Sequence, residues 1–162
     1  MTNPPGDSAR DGTVIVYTDG GCDPNPGTGG WGAVLMFGGH YKELSGSAPD
    51  TTNNRMEMTA AIEALRALKR PCSVVLHTDS EYLKKGVTEW MPNWKRRNWK
   101  RGRNGEVKNE DLWRILDGLI QRHTVEWRWV RGHAGNGYNE RCDELAGDAI
   151  RKRRSGDESG HA

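Results

Sequence analysis

The sequence predicts an α/β fold whose parallel strands present carboxylates at their carboxyl ends. Three observations carry that expectation. The stretch Thr13 to Gly27 opens with an apolar run, Val14-Ile15-Val16-Tyr17, of the kind a strand buried on both faces shows, and it reaches Asp19, followed by Gly20 and Gly21. Ser73 to Thr78 repeats the design, running apolar and stopping at Asp79 and Ser80. Between the two lies a segment with small apolar residues at helical spacing. Strands of this kind on either side of a helix are parallel neighbours joined by a crossover. Their carboxyl ends would bring Asp19 and Asp79 together, at the edge where open α/β sheets place their sites. A single Asp at a strand end is most simply punctuation; the repetition points to function. Two carboxylates held close repel each other and share a proton unless a cation lies between them.

At 162 residues the chain suits one domain with a real core. The formal net charge of +2 says little about partners, so the distribution of charge matters more. Cys22, Cys72 and Cys142 are scattered and odd in number, with no Cys-x-x-Cys, which argues against a disulfide framework or a zinc cluster and fits a reducing, cytosolic setting. No apolar run approaches membrane-spanning length, and no signal-peptide core opens the chain. A cytoplasmic protein with no membrane partner is expected. Residues 1–12 read as a loose tail, 13–154 as a single domain and 155–162 as a second tail.

In chain order, the first strand leads into Asp23-Pro24-Asn25-Pro26-Gly27, dense in turn formers. Gly38-Gly39 between Gly30–Phe37 and His40–Leu44 signals a hairpin. Ser45 to Thr51 reads as a loop. Thr52 to Lys69 is helical, with Ala60, Ala61, Ala64, Leu65 and Leu68 on one stripe and Pro71 closing it. Glu57 falls on that stripe, where a charge is costly unless paired or metal-bound; a dipole-favoured Glu at a helix entry is an equally good account. Glu81 to Gly86 reads as a short helix. Asn109 to Arg122 is a helix with Leu112, Ile115, Leu116, Leu119 and Ile120 as its apolar face. Thr124 to Val130 alternates as a strand with Val125, Trp127 and Trp129 inward. Arg131 to Gly137 is a Gly-rich loop around His133. The final helix carries Cys142, Leu145, Ala146, Ala149 and Ile150 on its stripe, and Asp143 sits near its start, where the dipole alone could favour it. The stripes are all used by one core, so a monomer is expected.

The segment from Trp90 to Arg103 carries six basic residues, no acidic one, and Trp90, Trp94 and Trp99. A basic run is usually a solvated face. Interleaved tryptophans offer ring faces for sugars or bases beside cations such as Lys95, Arg96, Arg97 and Lys100 for phosphates, so nucleic-acid binding is the favoured reading. Trp90 and Trp94, four apart, also suit the anchoring of a short helix to the core.

Asp19, Glu57, Asp79 and Asp143 thus have reasons to converge. All are hard oxygen donors suited to magnesium, with manganese as a substitute, rather than to zinc or copper. A carboxylate site beside a cationic arm is the equipment for metal-assisted chemistry on phosphodiesters, where two ions about 3.5–4 Å apart activate water and stabilise the leaving oxygen.

The motifs YTDGGCDPNPGTGGWG, TTNNRMEMTAAIEAL, LHTDSEYL, WMPNWKRRNWK, VKNEDLW and WVRGHAGNGYNERCDELA span nearly everything from Thr13 to Ile150. Together they resemble the type 1 ribonucleases H, the bacterial ribonuclease HI family. The resemblance implies a five-stranded mixed sheet flanked by helices on both faces, and endonucleolytic cutting of the RNA strand of RNA/DNA hybrids to leave 5′-phosphate and 3′-hydroxyl ends. It places the metal-binding carboxylates, for two magnesium ions with substrate bound, on Asp19, Glu57, Asp79 and Asp143, and a proton-handling histidine on His133. It places hybrid contacts on Cys22, Asn25, Thr52, Asn53, Glu81, Trp90 and Asn109. Of these, Thr52 and Asn109 would grip a DNA-strand phosphate, Trp90 would pack on a DNA sugar, and Asn25, Asn53 and Glu81 would face the RNA. Two positions depart from the pattern: Glu81 stands where a neutral side chain is common, and Asp50 stands near the phosphate pocket where relatives often carry Arg. A single-strand DNA-binding protein is a candidate recruiting partner. An integrase-like strand transferase and a non-catalytic hybrid-binding module are the rival readings. The short chain argues against the first, and the full carboxylate set with His133 argues against the second.

Overall fold

The computed structural model describes residues 12–99, 107–131 and 137–159. Five strands form one sheet in the order β3-β2-β1-β4-β5: β1 (Thr13–Cys22), β2 (Gly27–Phe37), β3 (His40–Thr51), β4 (Ser73–Thr78) and β5 (Thr124–Trp129). β1, β2 and β3 pair antiparallel, while β1–β4 and β4–β5 pair parallel, so the sheet is mixed. The helices are α1 (Asn53–Arg66), α2 (Glu81–Lys85), α3 (Met91–Arg96), α4 (Glu110–Arg122) and α5 (Gly137–Ser159), with one π-helical turn, Gly86–Trp90, joining α2 to α3.

The apolar run of β1 is buried on both faces because its alternate residues serve two cores. Val14 and Val16 join the larger one with Ala61, Leu65, Leu83, Trp113 and Leu116 beneath α1–α4. Ile15 and Tyr17 join the smaller one with Val34, Val75 and Cys142 beneath α5. On β5, Val125, Trp127 and Trp129 pack against the larger core as the alternation predicts.

Ser45 to Thr51, expected as a loop, belongs to β3. Its small polar residues read as loop material in isolation, but Ser45, Ser47 and Ala48 pair with the equally small Gly32, Gly30 and Gly29 of β2, and Gly46 pairs with Trp31, whose ring lies over it. Pro49 lies where the register shifts, and on an edge strand its missing N–H costs no ladder bond. The glycines of β2 serve a second purpose. A Cβ on Gly30 would lie 2.3 Å from the Ala146 carbonyl oxygen, and one on Gly32 would lie 2.6 Å from that of Cys142, so α5 can lie directly on the strand. α5 also continues past 154, where the sequence reading placed a tail. Arg153 donates to Ser47 Oγ at 2.8 Å and Arg154 to the Asp23 carbonyl, tying that end of the helix to the body. Residues 1–11 and 160–162 lie outside the described residues.

The basic arm is seated on an aromatic cluster. Tyr82 meets Trp90 and Trp113 at 5.3 and 5.5 Å between ring centroids, and Trp94 meets both Trp99 and Trp113. The π-helical turn brings Gly86 against Trp113, where an added Cβ would come within 1.9 Å of the ring. Gly86→Ala should therefore overpack this cluster and lower stability by about 1–3 kcal/mol. Gly118→Ala, in open space on α4, should raise it by roughly 0.5–1 kcal/mol through helix propensity. Urea melts of both variants check this pair, and equal effects of the two would contradict it.

Candidate active site

The parallel register of β1 and β4 brings the acidic residues together. Tyr17 pairs with His77, the two rings stack at 4.1 Å, and each strand places its Asp two residues further on, at 19 and 79. Asp79 follows the last residue of β4, as expected. Asp19 does not end its strand: β1 continues to Cys22 on its antiparallel side, with Asp19 opposite Gly32. The sequence showed only the end of the parallel ladder.

Gly20 sets the third carboxylate. A Cβ there would fall 2.4 Å from the Met56 carbonyl carbon and 2.7 Å from the Glu57 nitrogen, so only glycine lets α1 press its backbone against β1 at this point. Glu57 is thereby aimed at the strand. One carboxylate oxygen from each of Asp19, Glu57 and Asp79 lies within 4.8 Å of the others. Glu57 Oε1 is buried with no hydrogen-bond partner among the described residues. Asp19 accepts the Gly20 N–H at 3.0 Å. Burial, and then the charges of Asp79 and Asp143, push the Asp19 carboxyl up to about 7. Burial, and then Asp19 and Asp79, raise Glu57 well above the usual carboxylate range.

Asp143 is the outer member of the set. It is exposed, close enough to Asp19 to raise the pKa of that residue, and not among the three tightly grouped oxygens. It sits six residues past Gly137, the first residue of α5, beyond the turn where the helix dipole acts, so the dipole does not account for it. Its neighbour Cys142 anchors that register, its buried thiol donating to the Tyr17 carbonyl at 3.2 Å. A buried carboxyl oxygen without a donor, in a cluster of mutually repelling oxygen groups, fits a hard divalent cation and little else.

Five of the predicted hybrid contacts fall into two hydrogen-bonded groups, with Glu81 and Trp90 standing apart from both. Asn53 ties the β1–β2 loop to the start of α1: its side chain accepts the Cys22 N–H at 2.6 Å, and its own N–H donates to Asn25 Oδ1 at 3.0 Å. Thr52 and Asn109 form the second group, through Arg55. Thr52 Oγ1 caps α1 by accepting the Arg55 N–H, and the Arg55 guanidinium donates to Asn109 Oδ1 at 3.1 Å and to both oxygens of Asp111. Asn109, in the left-handed conformation, donates to the Tyr82 hydroxyl at 2.9 Å. Sequence reasoning missed Arg55 and Tyr82. The first lies three residues after the capping Thr52, and its role depends on a partner 54 residues away. Glu81 is exposed at the first position of α2, next to the cap residue Ser80.

The arm is anchored to the core, as the spacing of Trp90 and Trp94 suits. Trp90 and Trp94 are half-buried in the aromatic cluster, and Trp99 lies under the Arg114 guanidinium at 4.9 Å. Lys95 pairs with Asp117 of α4 at 3.0 Å, Arg96 bonds to Asn93, and Arg97 is exposed. Lys100 and His133 lie outside the described residues.

The RNase H family model matches residues 11–151. The ribonuclease H of Thiobacillus denitrificans is 59% identical over 137 residues, covering 85% of this chain and 93% of that protein. Pseudomonas aeruginosa ribonuclease HI is 58% identical over the same shares of each chain. Among solved structures, LC9-RNase H1, described as a type 1 RNase H with the type 2 active-site motif, superposes with a TM-score of 0.78 at 36% identity, over 88% of this chain and 74% of that one. The match over residues 11–151 and these relatives place this chain in the ribonuclease H family, among its bacterial type 1 members.

Proposed function

We propose that this chain is a magnesium-dependent endonuclease that hydrolyses the RNA strand of RNA/DNA hybrids, leaving 5′-phosphate and 3′-hydroxyl ends. The observation that carries the reading is the carboxylate cluster: three oxygens within 4.8 Å, one of them buried without a donor, in a chain of this family. Asp19, Glu57 and Asp79 would hold the inner ligand positions, and Asp143 an outer one. Two magnesium ions bound there, with manganese as a substitute, would supply charge neutralisation at the scissile phosphate and a water acidic enough to attack it.

The chain's own residues set the substrate. Thr52, Asn109 and Arg55 offer hydroxyl, amide and guanidinium groups for a DNA-strand phosphate. Asn25 and Asn53 brace the β1–β2 loop on the side proposed for the RNA, where a 2′-hydroxyl distinguishes it from DNA. Arg96 and Arg97 add cations for phosphates from the arm. His133 takes its proton-handling role from the family resemblance.

The deciding assay incubates the protein with magnesium and labelled hybrid, RNA duplex and DNA duplex. Cutting confined to the RNA of the hybrid is expected, and cutting of DNA duplex would contradict the reading. Asp79→Asn should reduce hybrid cleavage by at least about 10³-fold without loss of fold, and near-wild-type rates in saturating magnesium would contradict the ligand assignment. Arg96→Gln combined with Arg97→Gln should weaken hybrid binding and reduce the slope of log affinity against log salt by about one for each phosphate these arginines neutralise. An unchanged slope would make the arm a solvated face.

Metal removal has a signed consequence. A carboxyl whose folded pKa is raised keeps its proton in the folded chain over a range where the unfolded chain has lost it, so stability falls as pH rises across that range. For Asp19 the range runs from about pH 4 to about pH 7. In chelator the melting temperature should fall across this window. Asp19→Asn should flatten the fall, and millimolar magnesium should reverse it at pH 7 and above. Thermal melts in buffers from pH 4 to 8 measure it.

A further inference from the structure

α5 begins near the carboxylates and runs away from them along β1 and β2, and its outer ridge changes sign on the way. Asp143 stands at the acidic end. Gly147, Arg151 and Arg154 follow at helical spacing on the same side. Arg151 lies eight residues beyond Asp143, about 12 Å along the axis. Between this ridge and the end of β1 is an open cavity of about 390 Å³, bounded by Gly20, Gly21 and Cys22 on one side and by Asp143, Gly147 and Arg151 on the other.

Gly147 is the unexplained residue. Glycine inside a helix costs about 1 kcal/mol relative to alanine. The strand glycines Gly30 and Gly32 are accounted for by admitting α5 to the sheet, but Gly147 admits no neighbouring element among the described residues. The three nearest atoms to a Cβ built there all belong to the Arg151 guanidinium, at 3.4, 3.7 and 3.9 Å. The missing side chain therefore leaves the floor of the cavity bare beneath an arginine whose side chain is 70% exposed. Among the described residues Arg151 pairs with Asp148 across the surface, an ion pair of the kind worth about 0–1 kcal/mol, which a phosphate can displace, while Arg154 is held by the Asp23 carboxylate and carbonyl. Glu144, the other acid on the cavity, pairs with Arg141 at 3.1 Å.

We propose that this cavity is a second phosphate subsite: Arg151 binds a backbone phosphate of the cleaved strand a few linkages from the cut. The inference rests on the hybrid-cleaving reading above. It assigns the cleaved strand because the same cavity is bounded at its other end by Asp143, so a strand that presents its scissile phosphate to the carboxylates continues along the ridge. At about 3.4 Å of rise per nucleotide, the 12 Å to Arg151 corresponds to roughly two to four linkages.

The test uses full-length protein and hybrids carrying one uncharged methylphosphonate linkage at successive positions, with binding measured in calcium. For the wild-type chain, neutralising one or two adjacent RNA linkages on a single side of the cut should cost about fivefold in affinity, beyond the linkages nearest the site. Arg151→Gln should bind the all-phosphate hybrid about fivefold more weakly, lower the salt slope by about one, and lose its sensitivity to those linkages. Gly147→Leu should fill the cavity and weaken binding while its melting temperature stays at or above that of the wild type. Wild-type affinity in Arg151→Gln, retained sensitivity in that variant, or sensitivity confined to the DNA strand would overturn the proposal while hybrid cleavage stands. A wild-type chain that neither binds nor cuts hybrid would overturn the parent reading and this subsite with it.

Discussion

The interaction on which the rest of this structure depends is the approach of α1 to β1 at Gly20. Two backbones that close force Glu57 into the space beside Asp19, and the parallel register of β4 delivers Asp79 to the same place. The arrangement is electrostatically unfavourable by itself. Burial withholds water from Asp19 and Glu57, and the neighbouring carboxylates raise the cost of ionising these two further. A fold that holds such a cluster has stored a demand for positive charge, and a divalent cation held by Asp19, Glu57 and Asp79 would meet that demand. The same reasoning accounts for the neighbours: Gly32 and Gly30 let α5 lie against β2, which fixes where Asp143 and the basic ridge beyond it stand.

Much of this was legible in the sequence where the signal is local. The continuous apolar run of β1, the hairpin at Gly38-Gly39 and the alternation of β5 report burial on two faces, a tight turn and burial on one face, and each holds in the fold. Glu57 was visible as a charge out of place on an apolar stripe. What distinguishes a helix-entry Glu from a ligand is the partner, and that came only with the approach of β1 at Gly20. The full extents of β1 and β3 were not legible. Glycine and serine carry turn propensity, and only the pairing of one small-residue strand with another, set by the whole sheet, turns them into extended edges.

In the arm two readings shared one pattern. Composition favoured tryptophans that meet nucleic acid, while the spacing of Trp90 and Trp94 also suited anchoring a short helix to the core. In the fold, Trp90, Trp94 and Trp99 support one another, Tyr82 and Trp113, and their first task is to seat a short helix on the body. The cations they raise are unequal: Lys95 is engaged with Asp117, while Arg97 faces solvent. Arg55 and Tyr82 escaped the sequence reading for a related reason. Their partners, Asn109 and Asp111, lie far away in the chain, at the start of α4, and no short-range pattern joins them.

The claim that buried repulsion among Asp19, Glu57 and Asp79 creates the cation site is tested most directly by titrating the Asp19 side-chain carboxyl carbon by NMR, in chelator and then in saturating magnesium. The account predicts a midpoint near 7 without metal and a fall of about two units or more when magnesium is bound. An ordinary carboxylate midpoint of about 4 in chelator, unchanged by magnesium, would show that the cluster is neither strained nor a metal site, and would contradict it.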